Sequence, residues 1–560
     1  MNIIKIIKNK LYFFYKELKN PVLKKIIYKL VKGKPKRTRF PFPLTIDGKR
    51  HYLLRKSYLN YYTLFYNPYQ TSNFLNKDIV NIAELYETET IPCFDSKIGQ
   101  IIVKNDSLIP FAILNHKCLT ENNNKFSIEV SFNKKKYTLK NLPQNKFHYF
   151  KIKPCTNLKI KSKNKIIIGK PIDVSKEKKE LVLTLFIDSL NQTIINKYQL
   201  KNLMPNSYEF FKKGEIYDKC HSSAEHTFSS VPCILSGKYL SNLKTPHNPR
   251  IKRNFKNLKF MQEYYKENGY TTISISGNGG LNSSEGINKG FDRSIYQNSM
   301  SANKIIDYAL ENLNTFKNRK IFLSISLLDM HHDLELLPSL NVMSKLKINE
   351  HSRAIPDFVT SSKSPFSPFS QNAESRYVLK LKELDLKIKR IYDHINLNYS
   401  DNHLVCLYSD HGNAEVQEKS RHLIDFYKTN IPLFITGKNC KPKISSQLIS
   451  NVDILPTLLL KSDIAYDEES FNGKCIGSLR EYVISESIFP GQTYKLSIKN
   501  LNYQYFYESQ DLVDKSSYFN LDSGYKEIIM DYNNNDIKNT KLQNMFYKIA
   551  QSYIENYVNK

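Results

Sequence analysis

The chain has 560 residues, 41% hydrophobic and 24% charged, the proportions of a globular protein able to bury a sizeable core. Lys and Arg total 83 against 53 Asp and Glu, giving a net charge of +30, and only 13 of the basic residues are Arg. These figures exclude an acidic disordered chain and a disulfide-stapled miniprotein. The excess is lysine in a sequence rich in Asn, Ile, Tyr and Phe and without Trp, the profile that A- and T-rich codons produce. Few arginines and no nucleic-acid recognition motif argue against a nucleic-acid partner.

Residues 1–39 form a basic segment with 13 Lys or Arg within the first forty residues and a single acid, Glu17. Apolar residues recur at helical spacing, and Pro21 divides the run into two short amphipathic helices. Such a pair suits the surface of an anionic membrane, or packing on its own domain. Lysines interrupt the segment too often for a signal peptide, and no apolar stretch is long enough to span a bilayer. Cys93, Cys118, Cys155, Cys220, Cys233, Cys406, Cys440 and Cys475 show no CxxC and no framework spacing. The expectation is a reducing cytoplasm, with attachment to the inner face of the membrane. Cys220 and Cys233 could pair in an exported protein.

Residues 40–175 read as a β-rich accessory domain. FSIEVSF, KKYTLKNL, KFHYFKIK and NKIIIGK are short strand-like runs separated by Asn, Pro and Lys. From residue 176 to 560 apolar runs alternate with amphipathic helices, which predicts βα repeats and a mostly parallel sheet flanked by helices, an α/β catalytic domain. Three apolar runs end in acids and imidazoles: ELVLTLFIDSL at Asp188, KIFLSISLLDMHH at Asp329, His331 and His332, and NHLVCLYSDHG at Asp410 and His411. Ligands bind at the carboxyl ends of strands in open α/β sheets, so this pattern points to a metal site. Residues 355–372, rich in Ser and Pro, are expected to be a loop and not a helix.

Residues 222–239, SSAEHTFSSVPCILSGKY, read as a loop entering a helix. The free N–H groups of a helix N-terminus suit a phosphate or sulfate, and a metal-bound hydroxyl there can act as a nucleophile. Thr227, Ser229 and Ser230 are the candidates, and spacing alone does not separate them.

The ordered motifs resemble the sulfatase-like branch of the alkaline phosphatase superfamily over residues 178–510. Thr227 stands ten residues before Gly237 of the G-K-Y ending, as the sulfatase nucleophile stands before its Gly. No C-x-P-S-R is present, so the formylglycine of true sulfatases cannot form here. T-x-S-S-V-P-C is instead similar to the Thr segment of phosphoethanolamine transferases, where Thr is nucleophile and metal ligand. NGYTTISIS, NKGFDRS, DMHHD, SDHG, IPLFITG and NVDILPTLLL match further landmarks in order. Gly277–Gly280, lying between two of them, reads as a turn. The resemblance implies an alkaline-phosphatase-like fold, with Asp188, Thr227, Asp410 and His411 as ligands of a divalent metal. The mixed oxygen and nitrogen set suits Zn²⁺, with Mn²⁺ or Mg²⁺ as alternatives. Thr227 would be the nucleophile, and His331, His332 and His422 would contact substrate. The implied activity is transfer of a phospho-substituent, such as phosphoethanolamine or phosphoglycerol, from a phosphorylated donor to a cell-surface glycan or lipid precursor. Hydrolysis by a phosphodiesterase, phosphatase or sulfuric ester hydrolase is the alternative, and a membrane-bound scaffold without catalysis is the reading from another class.

Overall fold

A computed structural model gives the fold. It describes residues 87–555 and the strands Leu54–Lys56 and Tyr61–Tyr66, apart from residues 95–100, 115–125, 144–145, 177, 244–254, 256, 282–285, 298–299, 332–368, 370, 401, 414–415, 421–423, 490, 515–518 and 521–522. The basic segment 1–39, His332, His422, Cys118 and most of the Ser/Pro-rich stretch therefore lie outside the described residues. Gln371 and Asn372, expected to end that loop, instead begin the 28-residue helix Gln371–Asn398. Among the described residues of the stretch these two are helical, and neither is a proline, the residue on which the exclusion of helix rested.

The apolar runs form one large sheet. Five neighbouring strands run parallel in the order Arg293–Tyr296, Thr271–Ser276, Lys320–Leu327, Glu180–Ile187 and His403–Tyr408. Asn430–Gly437 follows antiparallel, and Glu215–His221 is antiparallel to that strand in turn. Glu215–His221 thereby regains the direction of the parallel set. Every residue of Glu180–Ile187 is buried. Leu181, Leu183, Leu185 and Ile187 join the core on one face, while Val182 and Phe186 join the core on the other. A strand that is buried on both faces needs an uninterrupted apolar run, which this one supplies. Ala302–Thr315 and Gln371–Asn398 cover the first face. Thr227–Ser236, Met261–Glu267 and Ile454–Lys461 cover the second.

The β-rich front region contributes in two ways. Glu87–Pro92 pairs antiparallel with Arg293–Tyr296, and Tyr61–Tyr66 and Leu54–Lys56 extend the sheet beyond it. Residues 101–173 build two four-stranded sheets around their own core, which includes Ile109, Phe111, Ile128 and Val130. The two parts meet at Glu89, which accepts from Tyr149 Oη at 2.5 Å and from Arg293 Nε at 2.6 Å. At the other end, Val483–Ser487, Thr493–Lys499, Tyr503–Leu512 and Tyr525–Asp531 form a four-stranded antiparallel sheet. The helix Thr540–Tyr553 packs on it.

Candidate functional site

The strand directions collect the chemistry at one edge. Asp188 follows Glu180–Ile187, Asp410 and His411 follow His403–Tyr408, and Asn278 follows Thr271–Ser276. Thr227 comes six residues after Glu215–His221, at the first position of its helix, with His226 as the N-cap. The antiparallel strand Asn430–Gly437 begins at the same edge, so Lys428 arrives from the preceding short helix Phe426–Thr429.

Asp188, Asp410 and His411 are buried and offer one ligand atom each within 4.8 Å of one another. Thr227 Oγ1 lies 3.2 Å from Asp188 Oδ2 and 3.4 Å from His411 Nε2. This geometry separates the three hydroxyl candidates. Ser230 Oγ donates to the Asp410 carbonyl at 2.8 Å and accepts from Asn451 Nδ2 at 2.8 Å, so it ties the helix to the strand end that carries Asp410 and His411. Among the hydrogen bonds seen for these three hydroxyls, Thr227's are the ones that reach the Asp188 and His411 side chains.

The donor set fits a divalent cation. His411 Nδ1 faces the Gly412 carbonyl at 3.0 Å, so the ring donates there and leaves a lone pair on Nε2. Burial, reinforced by the charge of Lys428, lowers the imidazole pKa to about 3 and keeps it neutral. That Nε2 lies 3.2 Å from Asp410 Oδ2, a buried oxygen with no hydrogen-bond partner among the described residues. An imidazole lone pair facing a buried carboxylate oxygen is a donor pair that a divalent cation could bridge. Burial raises the pKa of Asp410, the cost of holding that carboxyl away from water.

Ser189 orients both carboxylates. Its hydroxyl donates to Asp188 Oδ1 at 2.7 Å and its backbone N–H to Asp410 Oδ1 at 3.2 Å. It does so at φ 61°, a left-handed conformation that a serine adopts only when its surroundings impose it. Tyr377 holds the turn, donating to the Ser189 carbonyl at 2.9 Å and accepting from Asn191 N–H at 3.0 Å.

His331 sits in the turn after Lys320–Leu327, half-buried, with its imidazole within electrostatic reach of His411. Asp329 does not join the ligands. Its carboxyl is hydrogen-bonded to the backbone of Ala302 and feels Lys387 and Lys380, so it serves the helices on the first face. Cys220 and Cys233 are buried thiols and are not joined in a disulfide.

Four neighbours escaped sequence reasoning. Lys428 is 2% exposed and feels Asp410, Asp188, Glu225 and Asp425, yet burial lowers its pKa to about 8. Nothing in the sequence marks it among the other lysines. Glu225 accepts from Ser487 Oγ at 2.8 Å, and burial raises its pKa to about 7. His226 stacks edge-on against His411 with ring centroids 6.3 Å apart. Both adjoin Thr227 in sequence, which was the available signal. Asn278, read as part of a turn, donates through Nδ2 to Asp188 Oδ2 at 2.5 Å.

The Sulfatase family profile matches residues 180–461, half of the chain. The chain belongs to the sulfatase family. It is thus an enzyme of the alkaline phosphatase superfamily, whose members use a divalent metal, and Asp188, Asp410 and His411 form the candidate site for one. Among solved structures this sulfatase-family chain is similar in fold to a phosphonate monoester hydrolase from Silicibacter pomeroyi. That pair shares 12% identity and a TM-score of 0.50 over 68% of this chain and 96% of that one. A candidate sulfatase from Bacteroides fragilis, yidJ, aligns at 16% identity and a TM-score of 0.50, again over 68% of this chain and 96% of that one. No curated protein matches the chain in sequence. Among the described residues no helix is long and apolar enough to cross a membrane.

Proposed function

We propose that the protein is a metal-dependent phosphotransferase that moves a phospho-substituent, such as phosphoethanolamine or phosphoglycerol, onto a glycan or lipid acceptor through a phospho-Thr227 intermediate. The observation that carries this reading is the position of Thr227 Oγ1, within 3.4 Å of both Asp188 and His411 at a helix N-terminus. Asp188, Asp410, His411 and Thr227 would hold the cation, and Zn²⁺ fits the mixed oxygen and nitrogen set best, ahead of Mn²⁺ and Mg²⁺. Bound there, it supplies a lowered hydroxyl pKa and charge neutralisation for the phosphoryl oxygens.

The residues of the chain do the rest. Thr227 Oγ1 gives up its proton as it attacks phosphorus, the bond from phosphorus to the donor's leaving oxygen breaks, and a proton is returned to that oxygen. Lys428 and the N-terminal N–H groups of the nucleophile helix favour negative charge on the bound group. His331, half-buried and within electrostatic reach of His411, contacts the non-bridging or leaving oxygens, a role also proposed for His332 and His422. The acceptor hydroxyl then attacks phosphorus, the bond to Thr227 Oγ1 breaks, and the threonine is regenerated. A threonine on this pathway needs no oxidation to an aldehyde, which supports phosphoryl over sulfuryl chemistry.

Hydrolysis is the second reading, favoured by membership of a family named for sulfate-ester cleavage. Turnover of a p-nitrophenyl phosphodiester with and without an alcohol acceptor separates the two. Transfer predicts a phosphorylated acceptor and an 80 Da or larger adduct on Thr227 by intact mass, on the order of one per chain. Release of a free phosphomonoester at one rate whatever the acceptor would establish hydrolysis, and absence of any adduct together with full activity of Thr227→Ala would remove the nucleophile assignment.

A further inference from the structure

Asn278 belongs to G-N-G-G, a run that reads as a connecting turn. Its side chain is 2% exposed and makes two hydrogen bonds that fix its orientation. Oδ1 accepts the Gly280 backbone N–H at 2.8 Å, a group that can only donate. Nδ2 must therefore be the atom that faces Asp188 Oδ2, at 2.5 Å. The backbone is held as firmly, because Asn278 N–H donates to Ser276 Oγ at 3.0 Å at the end of a buried strand.

The oxygen that Asn278 grips also receives the nucleophile. Asp188 Oδ2 lies 3.2 Å from Thr227 Oγ1. The same short turn touches Thr227 directly, since a methyl group added at Gly280 would come within 2.7 Å of Thr227 Cγ2. One four-residue turn thus bears on both partners of the reaction centre. Its amide sets the rotation of the Asp188 carboxylate, and its bare glycine sets how far the threonine can swing.

We infer that Asn278 is a positioning residue, which holds Asp188 in its metal-binding rotation while the Gly280 backbone it pins limits the nucleophile's position. The inference rests on the metal-centred reading of the site. A charge-assisted hydrogen bond to a ligand carboxylate both orients it and disperses its charge, and loss of such outer partners typically costs about 10–100-fold in metal affinity or activity. Loss of the donor leaves Asp188 free to turn away from the shared cation.

The test is Zn²⁺ titration of the metal-free full chain by calorimetry, with p-nitrophenyl phosphodiester kinetics alongside. Asn278→Ala is expected to weaken Zn²⁺ about 10–100-fold, with kcat at saturating Zn²⁺ falling less than the affinity. Asn278→Ser, whose hydroxyl can still accept the Gly280 N–H, removes the reach to Asp188 and keeps the turn, so it serves where alanine does not fold. It is expected to weaken Zn²⁺ in the same way. Gly280→Ala is expected to lower kcat by at least about tenfold with a smaller loss of Zn²⁺ affinity than Asn278→Ala, because it displaces the Thr227 hydroxyl and leaves the Asp188 carboxylate in place. Wild-type protein that takes up none of Zn²⁺, Mn²⁺ and Mg²⁺ in parallel titrations overturns the metal-centred reading itself. Wild-type protein that binds Zn²⁺, with a folded Asn278 variant binding it equally tightly, overturns the inference alone.

Discussion

Asp410→Asn should reverse the order of stability between metal-free and metal-loaded protein. Asp188 and Asp410 are both buried, and their ligand atoms lie within 4.8 Å of each other. At an effective dielectric near 20, two like charges at that separation repel by about 3.5 kcal/mol. Lys428 and the donations from Ser189 offset part of this, leaving a net strain of about 1–2 kcal/mol in the absence of a cation. Asparagine keeps the shape and removes the charge, so the variant should be the more stable protein in EDTA by that amount. Zn²⁺ at a hundred times its Kd should then add about 2.7 kcal/mol to the wild type and none to the variant. Urea denaturation at pH 8, in EDTA and in Zn²⁺, measures all four stabilities. The reasoning fails if the wild type is the more stable in both conditions, or if the variant gains as much from Zn²⁺ as the wild type does.

Thr227→Ala should abolish turnover, on the order of 10⁴-fold or more, while elemental analysis still finds Zn²⁺ on the two aspartates and His411. Full activity in this variant would remove Thr227 from the chemistry. Lys428→Met should lower kcat/KM roughly 100-fold for an anionic phosphodiester, with kcat carrying most of the loss; an effect confined to KM would make the lysine a docking charge only. Lys499 should give stability a pH dependence. It is fully buried, donates to Ser485 Oγ at 3.0 Å and faces Asp425 and His221, and burial lowers its pKa from 10.5 to about 7. The unfolded chain holds more protons between those values, so stability should rise with pH across that window, and the burial cost of roughly 3–5 kcal/mol is fully present below it. Lys499→Met should flatten the rise and stabilise most near pH 6, whereas parallel pH curves for the two proteins would count against a charged buried lysine.

What sequence could reveal followed the size of the physical signal. The strand from Glu180 to Ile187 is buried on both faces, so its apolar run is unbroken and its end at Asp188 is sharp. The same holds for the strand before Asp410 and His411. FSIEVSF and KKYTLKNL appear in the structure with the same boundaries, Phe126–Phe132 and Lys135–Leu142, because Asn and Pro close them off. Asp329 had the same local signature as Asp188 yet faces the other way, since the register of the turn after a strand decides which face a side chain meets. Lys428 had no local signature. Its role comes from a strand that runs against its neighbours, a property of pairing across the sheet that no window of sequence contains. Asn278 was hidden by its glycines, which mark a turn equally well whether it connects elements or lines a site.

The antiparallel pair Asn430–Gly437 and Glu215–His221 explains how the candidate site brings together Thr227, the proposed nucleophile, and the buried Lys428. A purely parallel sheet would bring each loop in from the end of a strand. Because one strand is reversed, its beginning reaches the edge, and Lys428 enters beside ligands that arrive at strand ends. The loop before Thr227 then needs an anchor of its own, for it lies beyond the end of Glu215–His221. The C-terminal sheet supplies it. Glu486 N–H donates to the Ser223 carbonyl at 2.9 Å, Ser485 Oγ to the Ser222 carbonyl at 2.6 Å and Ser487 Oγ to Glu225 at 2.8 Å. Three consecutive residues of one strand thus grip the residues leading to Thr227, and Lys499, paired in that sheet with Val483, donates to the first of them, Ser485. The C-terminal sheet therefore forms part of the wall of the candidate site, and loosening it should act on Thr227 before it acts on Asp188, Asp410 and His411, which hang from the central strands.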